Sequence, residues 1–546
     1  MNILGLSSLE PSPFGHDSTT AIFDEGDFFV ISEERLTRIK HDGGYPSNSI
    51  QLCLNKNNST ISDIDRVVVG FGLEKKYMGQ QMNEKFCSFA KDSGFRKTSL
   101  ERKNPIFYDH QYIHARTGYA LSGFNKAIVI SLDAGGMDNG ECNSGGVFIV
   151  DDGNIQPIKY LPCRISLGLA YGNITEICGF QMTDGEGKTM TLASMIKDEN
   201  QLDKDKIYDH ICKFFPYFKG MDIQTNGVPT CSSLLRHDTN TWTAVDTRLL
   251  LLKRLFKKNL IAWAAQKRLE EVVIDLISNT VDSTGIKNII FSGGIFLNMI
   301  MNMKIQQRFG DKLHLFFNPI CNDHGNAIGA VLEQYYQETG KNPVSPNMSL
   351  YLGSSYSDEE ILLSAKRFNF KITKVNRIDT AIDLIGQGKV IGWFQGRSEF
   401  GPRGLGNRSI LALATDQKYK DIVNEKVKKR ESWRPFCPTI IEEKSNEFLK
   451  NPVYAPYMIL GFEMKNPELY PAVSHVDGTC RPQILKKSVN PDFYQVTKGL
   501  DGIVLNTSFN LAGDPIVETP HHALMTLKNS EMDAILMNDF LIEKCV

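Results

Sequence analysis

The sequence predicts an α/β protein whose N-terminal part contains an internal duplication and whose C-terminal part is a second α/β domain. Two observations predict this fold class. A strand–loop–strand–turn–strand order occurs twice in the first 160 residues or so, and the texture of the chain changes after a Pro- and Asn-rich stretch at residues 342–347. With 546 residues the chain is long enough for about three or four packing units at ~150 residues each.

The two copies of the repeat share apolar strands joined by turns with an acidic-Gly signature. In the first copy the predicted strands are residues 2–7, 19–23 and 28–32, with the turn at 24–26. In the second copy they are residues 127–132 and 146–150, with a Gly-rich loop at 133–144 and the turn at 151–153. Two such copies facing a cleft are the plan of the actin, sugar-kinase and Hsp70 class.

The remaining elements follow from periodicity. Residues 257–278 carry apolar side chains on one helical face. Further predictions are strands at 288–291, 313–317, 371–375, 390–394 and 502–506 and a helix at 358–368. The linker divides the chain into a domain of residues 1–345, predicted to be a duplicated actin-like (ASKHA) domain, and an α/β domain of residues 346–546.

Composition argues against several classes of protein. A formal net charge of -2 weakens the case for a nucleic-acid partner. No run of about 18 apolar residues predicts a membrane span, and the apolar start of the chain lacks the basic head of an export signal. Eleven scattered cysteines without a Cys-x-x-Cys pair are typical of free thiols in a reducing, cytoplasmic setting.

A metal site is indicated by four residues. His110 and His114 share one face if residues 110–114 are helical, and Asp133 and Asp323 follow apolar strands. This mixed nitrogen and oxygen set suits Fe(II), Mn(II) or Zn(II) at an open working site. The alternative is that the histidines are ordinary core or surface residues and that the acids cap turns.

Two Gly-rich segments predict a phosphate loop in the N-terminal domain. Gly293 and Gly294 follow a strand and precede a helix, and Lys188 stands in a second Gly-rich loop. Simple turns and a solvated lysine are the alternative reading.

Arginines embedded among Gly and Pro mark the C-terminal domain. They occur in residues 396–409, 428–436 and 475–481, with a polar segment at 506–510. Because guanidinium forks fit phosphate and carboxylate oxygens, these segments predict a pocket for a phosphorylated substrate. Surface arginines paired with glutamates are the alternative.

Several of these motifs resemble those of the bacterial O-carbamoyltransferases of antibiotic and nodulation-factor biosynthesis. The resemblance covers nearly the whole chain and is carried by seven segments. They are Gly15-His16-Asp17-Ser18 and residues 33–40, 166–168, 399–403, 407–412, 475–479 and 506–510.

The resemblance implies a reaction in two steps. A C-terminal domain similar to the YrdC fold is expected to convert carbamoyl phosphate and ATP, with Mg²⁺, to carbamoyl-adenylate. An N-terminal domain similar to the threonylcarbamoyl transferases is expected to pass the carbamoyl group to a hydroxyl of a small-molecule natural product. Fe(II) or another divalent metal is the implied cofactor, and a homo-oligomer is possible.

The resemblance also implies roles for individual residues. The catalytic residues are His16, Lys40 and Arg481, and the metal ligands are His110, His114, Asp133 and Asp323. The predicted nucleotide and carbamoyl phosphate ligands are Arg403, Asn407, Arg408, Ser409, Lys428, Arg430, Arg434, His475, Arg481, Asn506, Thr507, Ser508 and Asn510. The chain departs from the family pattern at Gln111, Ala134, Thr191 and Gly404.

Other functions remain as alternatives. One is a carbamoyltransferase with a macromolecular acceptor, such as tRNA or a maturation protein, and another is a non-catalytic actin-like ATP-binding switch. The acceptor is not named by the sequence, and residues 77–103 and 214–246 are predicted to shape its pocket.

Overall fold

The computed structural model describes residues 1–7, 16–70, 103–196, 199–225, 247–342 and 348–545. Gly15, the predicted linker after residue 342 and most of the two predicted acceptor segments lie outside these ranges. The chain forms two compact units. Unit 1 comprises Met1–Glu33 and His41–Met348, and unit 2 comprises Glu34–Lys40 and Ser349–Val546. The sequence did not indicate that Glu34–Lys40 belongs with the C-terminal part.

Unit 1 begins with a five-stranded sheet. Its strands are β1 (Ile3–Leu6), β2 (Thr19–Asp24), β3 (Asp27–Ser32), β4 (Arg66–Val69) and β5 (Ile106–Phe107). The spatial order is β3-β2-β1-β4-β5. β2 is antiparallel to β1 and β3, whereas β4 is parallel to β1 and β5. Buried Ile, Leu, Val and Phe side chains of these strands form its core.

The second sheet repeats this arrangement. Its strands are β6 (Lys126–Asp138), β7 (Glu141–Asp151), β8 (Asn154–Pro162), β11 (Asn288–Ser292) and β12 (His314–Phe317), while β9 (Tyr217–Lys219) and β10 (Asp222–Gln224) form a separate hairpin. Its order, β8-β7-β6-β11-β12, has the same succession of antiparallel and parallel pairs as the first sheet. The duplication predicted from the sequence is therefore present.

One expectation within the repeat was wrong. Residues 133–144 were predicted to form a Gly-rich loop, but β6 and β7 continue as a hairpin through Asp138 and Glu141. The register between the two strands shifts from Leu132 to Gly136, and pairing then resumes. Glycines interrupt the apolar alternation here, which is why the strand signal was lost.

Helices of unit 1 cover the two sheets. Their bounds are Ser47–Lys56, His110–Ser122, Leu167–Ile177, Glu186–Ser194, Gln201–Phe214, Thr247–Leu255, Lys258–Thr284, Met299–Phe309 and Asn326–Thr339. Short 3₁₀ helices occur at Ile61–Asp63, Cys163–Ile165, Gly294–Leu297 and Asp323–Gly325.

Helices His110–Ser122 and Asn326–Thr339 lie in close contact. This contact places the predicted ligands His110 and His114 beside the segment that contains Asp323. A Cβ built on Gly329, in helix Asn326–Thr339, would lie 2.2 Å from Thr117 Oγ1 and 2.6 Å from the Ile113 side chain, both in helix His110–Ser122. Only glycine allows this approach. The start of the later helix is thereby held beside the first turns of the earlier one.

The expectation of free thiols was wrong for two of the cysteines. Cys142 and Cys163 form a disulfide, with a Cα–Cα distance of 5.4 Å. Their neighbours Asn143 and Pro162 are paired across β7 and β8, so the sheet brings together two residues that are 21 apart in the chain. This pairing depends on strand register and not on cysteine spacing.

Unit 2 is built on a mixed eight-stranded sheet. Its strands are β13 (Phe370–Lys374), β14 (Ile391–Phe394), β15 (Arg408–Ala412), β16 (Cys437–Ile441), β19 (Gln483–Leu485), β20 (Ile503–Ser508), β21 (Ala534–Met537) and β22 (Phe540–Lys544), and a separate pair is β17 (Phe462–Glu463) with β18 (Thr479–Cys480). The order is β13-β22-β21-β14-β15-β20-β16-β19. Trp393, Leu411, Phe493 and Val504 lie in its core.

The helices of unit 2 pack against this sheet or against neighbouring helices and turns. Their bounds are Glu34–Thr37, Asp358–Ala365, Arg377–Gly386, Gln417–Ile422, Ser445–Phe448, Pro491–Gly499 and Pro520–Lys528, with a π-helical turn at Val423–Lys428 and 3₁₀ helices at Glu442–Lys444 and Pro467–Leu469. Across the described ranges, no helix combines the length and apolar character that a bilayer crossing requires.

Candidate functional site

Helix His110–Ser122 carries both predicted histidine ligands. The carboxylate of Asp138 accepts hydrogen bonds from the backbone N–H groups of Gln111 (2.8 Å) and Tyr112 (3.4 Å), so a residue of β6 caps the start of this helix. His110 and His114 are 0% and 1% exposed, and their Nε2 atoms are 3.2 Å apart. The helical spacing inferred from the sequence is present.

Two carboxylates complete the cluster. Asp133 Oδ2 lies 3.3 Å from His110 Nε2 and 3.1 Å from His114 Nε2. Asp323 Oδ1 lies 3.5 Å and 3.2 Å from the same two atoms. One ligand atom from each of the four residues falls within 4.8 Å of the others. The structure thus brings together four residues spread over more than 200 positions of the chain.

Backbone contacts hold Asp133 in place. Ser166 Oγ donates to the carbonyl oxygens of Asp133 (3.2 Å) and Ala134 (2.8 Å) and accepts from Leu169 N (3.1 Å). A Cβ on Gly136 would lie 2.2 Å from the His110 ring, so glycine is required where β6 passes the imidazole. The Ser166-Leu167-Gly168 motif therefore supports the acidic strand.

The donor set fits a divalent cation. Burial disfavours the imidazolium of His114, but the Asp133 and Asp323 carboxylates outweigh it and raise the pKa of His114 to about 9. Burial likewise opposes ionisation of Asp133, yet the two histidines hold its pKa well below the usual value. Two partly buried carboxylates thus converge with two buried imidazoles, a set suited to a divalent transition metal.

Gln111, where the family pattern has a second histidine, faces away from this cluster. Its side-chain Nε2 donates to Asn143 O (3.3 Å), and its Oε1 accepts from Ser131 Oγ (2.6 Å). This departure alters contacts to β6 and β7 and leaves the four-residue cluster complete.

His16 lies at the edge of the cluster, and its neighbour Asp17 was missed by the sequence analysis. His16 Nε2 is 3.9 Å from Asp323 Oδ2, and Nδ1 is 3.1 Å from Asp17 Oδ2. Burial disfavours the imidazolium, but Asp17, Asp323 and Asp133 together raise the pKa of His16 to about 9. The only sequence signal for Asp17 was its place in the motif with His16.

The residues predicted to form a phosphate loop lie in two different elements: Gly293 and Gly294 follow β11, and Lys188 lies in helix Glu186–Ser194. Gly293 has φ 89°, and a Cβ there would lie 2.2 Å from Leu132 O. A Cβ on Gly294 would lie 3.0 Å from Asp133 Oδ1, so these glycines allow close packing against β6. Lys188 lies on helix Glu186–Ser194 with its ammonium 5.5 Å from the Phe180 ring centroid. Phosphate binding by these residues stays a prediction.

In unit 2, cationic side chains converge. Lys428 is 2% exposed, and its ammonium donates to Ser508 O and to Asn510 Oδ1 (2.6 Å). Burial, followed by the charges of Arg430, Arg434 and Lys40, lowers its pKa well below the usual value. Lys40 is an exposed residue of Glu34–Lys40, so this segment contributes charge to the site.

Arg430 belongs to the same group. Its Nε donates to Asn424 Oδ1 (2.7 Å), and its guanidinium lies 4.7 Å from the centroid of Phe436. Burial and the charge of Arg434 lower its pKa to about 9, with a smaller contribution from Arg481. Because these cations repel one another, a bound polyanion would relieve the repulsion.

Arg481 has a sulfur neighbour that the sequence did not reveal. Its Nε and Nη2 both lie 3.2 Å from Cys437 Sγ, at the start of β16. The contact holds the guanidinium against the strand. We name Lys428, Arg430, Arg434 and Arg481 the cation cluster.

Four predicted ligand residues are instead buried in the scaffold. Arg408 is 0% exposed, and its two Nη atoms donate to the carbonyl oxygens of four residues, namely Gln395, Asn407, Ser354 and Gly396. The other three are Asn407, Ser409 and Asn506, which are at most 8% exposed and bond to neighbouring loops. The polar groups of these residues hold the neighbouring loops, and their role as ligands stays a prediction.

The remaining predicted residues lie on the partly exposed side of unit 2. Ser508 Oγ is 2.7 Å from Asn510 Oδ1, beside Lys428, and Thr507 precedes them in β20. His475 Nδ1 is 3.1 Å from Thr479 Oγ1, and burial lowers its pKa to about 4. Arg403 is half-buried in the loop before β15.

Two arginines that had no predicted role join Glu34–Lys40 to the rest of unit 2. Arg35 donates to the carbonyl oxygens of Glu399 (3.2 Å) and Gly401 (2.9 Å). Arg38 donates to those of Ile516 (2.8 Å) and Pro515 (2.6 Å). Their signal in the sequence was the basic character of residues 33–40.

The protein thus has two α/β units, one with a histidine–carboxylate cluster and one with a cation cluster. Models of the carbamoyltransferase N-terminus and C-terminus match residues 2–332 and 382–544. The chain therefore belongs to the carbamoyltransferase family, as its motifs indicated.

Individual relatives agree with this assignment. Nodulation protein NolNO of Sinorhizobium fredii is 30% identical over 98% of this chain and 80% of its own length. An uncharacterized protein of Methanocaldococcus jannaschii is 32% identical over 97% of this chain and 98% of its own. The 3'-hydroxymethylcephem-O-carbamoyltransferase of Streptomyces clavuligerus is 31% identical over 41% of this chain and 43% of its own.

Among solved structures, full-length HypF matches with a TM-score of 0.34 and 16% identity over 62% of this chain and 56% of its own. That likeness is too weak to carry an argument.

Proposed function

We propose that this protein is an ATP-dependent O-carbamoyltransferase that acts on a hydroxyl of a small-molecule natural product. The observation that carries the proposal is the convergence of His110, His114, Asp133 and Asp323 in unit 1 of a chain that belongs to the carbamoyltransferase family. The proposed domains are residues 1–345, of actin-like fold, and 346–546, of YrdC-like fold. We place the protein in the cytoplasm and leave homo-oligomerisation as a possibility.

The first step is assigned to unit 2. Carbamoyl phosphate, ATP and one water give carbamoyl-adenylate, pyrophosphate and phosphate. A carbamoyl carbon is a poor electrophile because its nitrogen donates into the carbonyl, and AMP keeps it activated on a carrier that a protein can bind. The cation cluster supports this step because phosphate groups would offset its mutual repulsion. ATP would enter with Mg²⁺.

The second step is assigned to unit 1. The acceptor oxygen forms a bond to the carbamoyl carbon, the bond from this carbon to the AMP oxygen breaks, and AMP leaves with the electron pair. The hydroxyl proton must go to a base, for which His16 is the candidate. Asp17 is the main carboxylate that raises the pKa of His16, and Asp323 and Asp133 raise it further. Asp323 and Asp133 are proposed to hold the cation, whose charge would offset their part of this effect.

His110, His114, Asp133 and Asp323 would hold Fe(II) or another divalent cation. When bound there, such an ion supplies Lewis-acid polarisation of a carbonyl oxygen or orientation of the alcohol. Burial of the two imidazoles keeps competing water away from their nitrogen ligand atoms.

The test uses the full chain with ATP, Mg²⁺, Fe(II) and radiolabelled carbamoyl phosphate. Without an acceptor, we expect pyrophosphate release that depends on carbamoyl phosphate. With a panel of sugars, aminoglycosides, β-lactams, alkaloids and polyketide alcohols, we expect the label in one class of product. Absence of carbamoyl phosphate-dependent pyrophosphate release, or label transfer that does not need ATP, would contradict the proposal.

A further inference from the structure

Asp17 is the centre of a histidine cluster next to the proposed metal site. Its Oδ1 lies 2.7 Å from His41 Nδ1, and its Oδ2 lies 3.1 Å from His16 Nδ1 and 3.4 Å from His324 Nδ1. Asn322 Nδ2 also donates to Oδ2, at 3.4 Å. The Asp17 side chain is 5% exposed, so this carboxylate is saturated with protein partners and shielded from water.

The backbone of Asp17 is held in an unusual conformation. Its φ is 64°, in the left-handed region that non-glycine residues seldom adopt. The carbonyl oxygen accepts hydrogen bonds from Ser7 Oγ (3.1 Å) and Thr19 Oγ1 (3.1 Å), which lie in or next to β1 and β2. The sheet thereby fixes the point from which the carboxylate projects, and such strain is typically retained where a side-chain direction matters.

This arrangement sets the orientation of His16. A carboxylate only accepts hydrogen bonds, so the nitrogen of His16 that faces Asp17 must carry the proton. That nitrogen is Nδ1, and Nε2 is therefore the nitrogen turned toward Asp323, 3.9 Å away. The His16 side chain is 34% exposed, whereas His110 and His114 are buried. The His16 ring is thus accessible to a substrate, whereas the Nε2 of His41, which is 27% exposed, faces Asp184.

We propose that Asp17 is a positioning residue that acts through His16. It binds Nδ1 and so presents Nε2 to the carbamoyl group and acceptor hydroxyl, as the carboxylate of a catalytic triad orients its imidazole. This inference rests on the proposed function. It adds that transfer in unit 1 depends on a carboxylate that touches neither substrate nor proposed cation.

The experiment is a double-mutant cycle with Asp17→Asn and His16→Gln in the full chain. Asparagine keeps the size of aspartate and tolerates a positive φ, but its single oxygen cannot accept from His16 and His41 together. We expect Asp17→Asn to lower kcat for carbamoyl transfer about 100-fold with KM for the acceptor nearly unchanged. In the His16→Gln background the same change should alter kcat less than about threefold, because the ring it orients is gone.

Glu33→Gln is the matched control. Glu33 is another buried carboxylate of unit 1 and accepts hydrogen bonds from Asn48 N (3.0 Å) and Ser49 N (2.8 Å). Its substitution should change thermal stability and leave kcat unchanged in both backgrounds. An equal loss of kcat from Asp17→Asn with and without His16 would assign Asp17 a purely structural role and overturn the proposal.

Asp17→Gly provides a second measurement should the asparagine variant not fold, since glycine adopts positive φ without strain. Formate, added as a small carboxylate, should restore transfer to Asp17→Gly but not to Asp17→Gly/His16→Gln. Restoration in both variants, or in neither, would overturn the proposal. Carbamoyl transfer by the unsubstituted protein tests the proposed function itself, independently of the role of Asp17.

Discussion

Among single side chains, the contacts of His114 allow a prediction that separates the two proposed reaction steps. Its Nε2 lies within 3.2 Å of both Asp133 and Asp323, so removal of the imidazole leaves two partly buried carboxylates facing each other. We expect His114→Ala to abolish transfer while carbamoyl phosphate-dependent pyrophosphate release, assigned to unit 2, is retained. His314→Ala, at an exposed histidine of the same unit, should change neither activity. Survival of both steps in His114→Ala would remove His114 from the site.

The contacts of Arg481 allow a prediction for the step assigned to unit 2. Its guanidinium contacts Cys437 Sγ at 3.2 Å and contributes charge to the surroundings of Arg430. We expect Arg481→Ala to lower pyrophosphate release at least about 100-fold, because the phosphate groups lose a forked donor. Arg377→Ala is the control, since Arg377 pairs with Asp492 and Asp539 in the same unit. Adenylate formation that is unchanged in Arg481→Ala would contradict the assigned role.

Secondary-structure elements position the proposed metal ligands. In β6, Gly136 leaves the space that the His110 ring occupies. A Cβ on Gly136 would lie 2.2 Å from the His110 ring, so Gly136→Ala must displace either the strand or the imidazole. We expect the affinity for Fe(II), measured by equilibrium titration, to fall about 10- to 100-fold. Gly187→Ala, in helix Glu186–Ser194 with no atom within 4 Å of the added Cβ, should leave the affinity unchanged. Equal affinities for the two variants would mean that β6 does not set the ligand geometry.

The whole molecule has two compact units, which predicts separable responses to ligands. A metal that binds the folded site with free concentration 100 times Kd stabilises it by about 2.7 kcal/mol. In calorimetry, Fe(II) should therefore raise the unfolding temperature of unit 1, and a chelator should reverse the shift. Carbamoyl phosphate with ATP should act on unit 2 instead. In His114→Ala the Fe(II) shift should vanish; its persistence would place the ion elsewhere.

Local patterns in the chain were sufficient to predict the duplicated strand order, the helical spacing of His110 and His114, and membership of the carbamoyltransferase family. These depend on periodicity and on short motifs, both of which are set by neighbouring residues. Two observations alone predicted that Asp133 and Asp323 converge on the two histidines. They were the motif resemblance and the position of both aspartates after apolar strands.

Other features depend on contacts between distant segments, which periodicity does not encode. The Cys142–Cys163 disulfide follows from the register of β7 and β8, and Arg408 is buried because its guanidinium is surrounded by backbone carbonyls. Glu34–Lys40 joins unit 2 through the hydrogen bonds of Arg35 and Arg38 to residues more than 300 positions away. Asp17 gains His324 as a partner in the same way, because strands β1 and β2 hold Asp17 beside the 3₁₀ helix Asp323–Gly325.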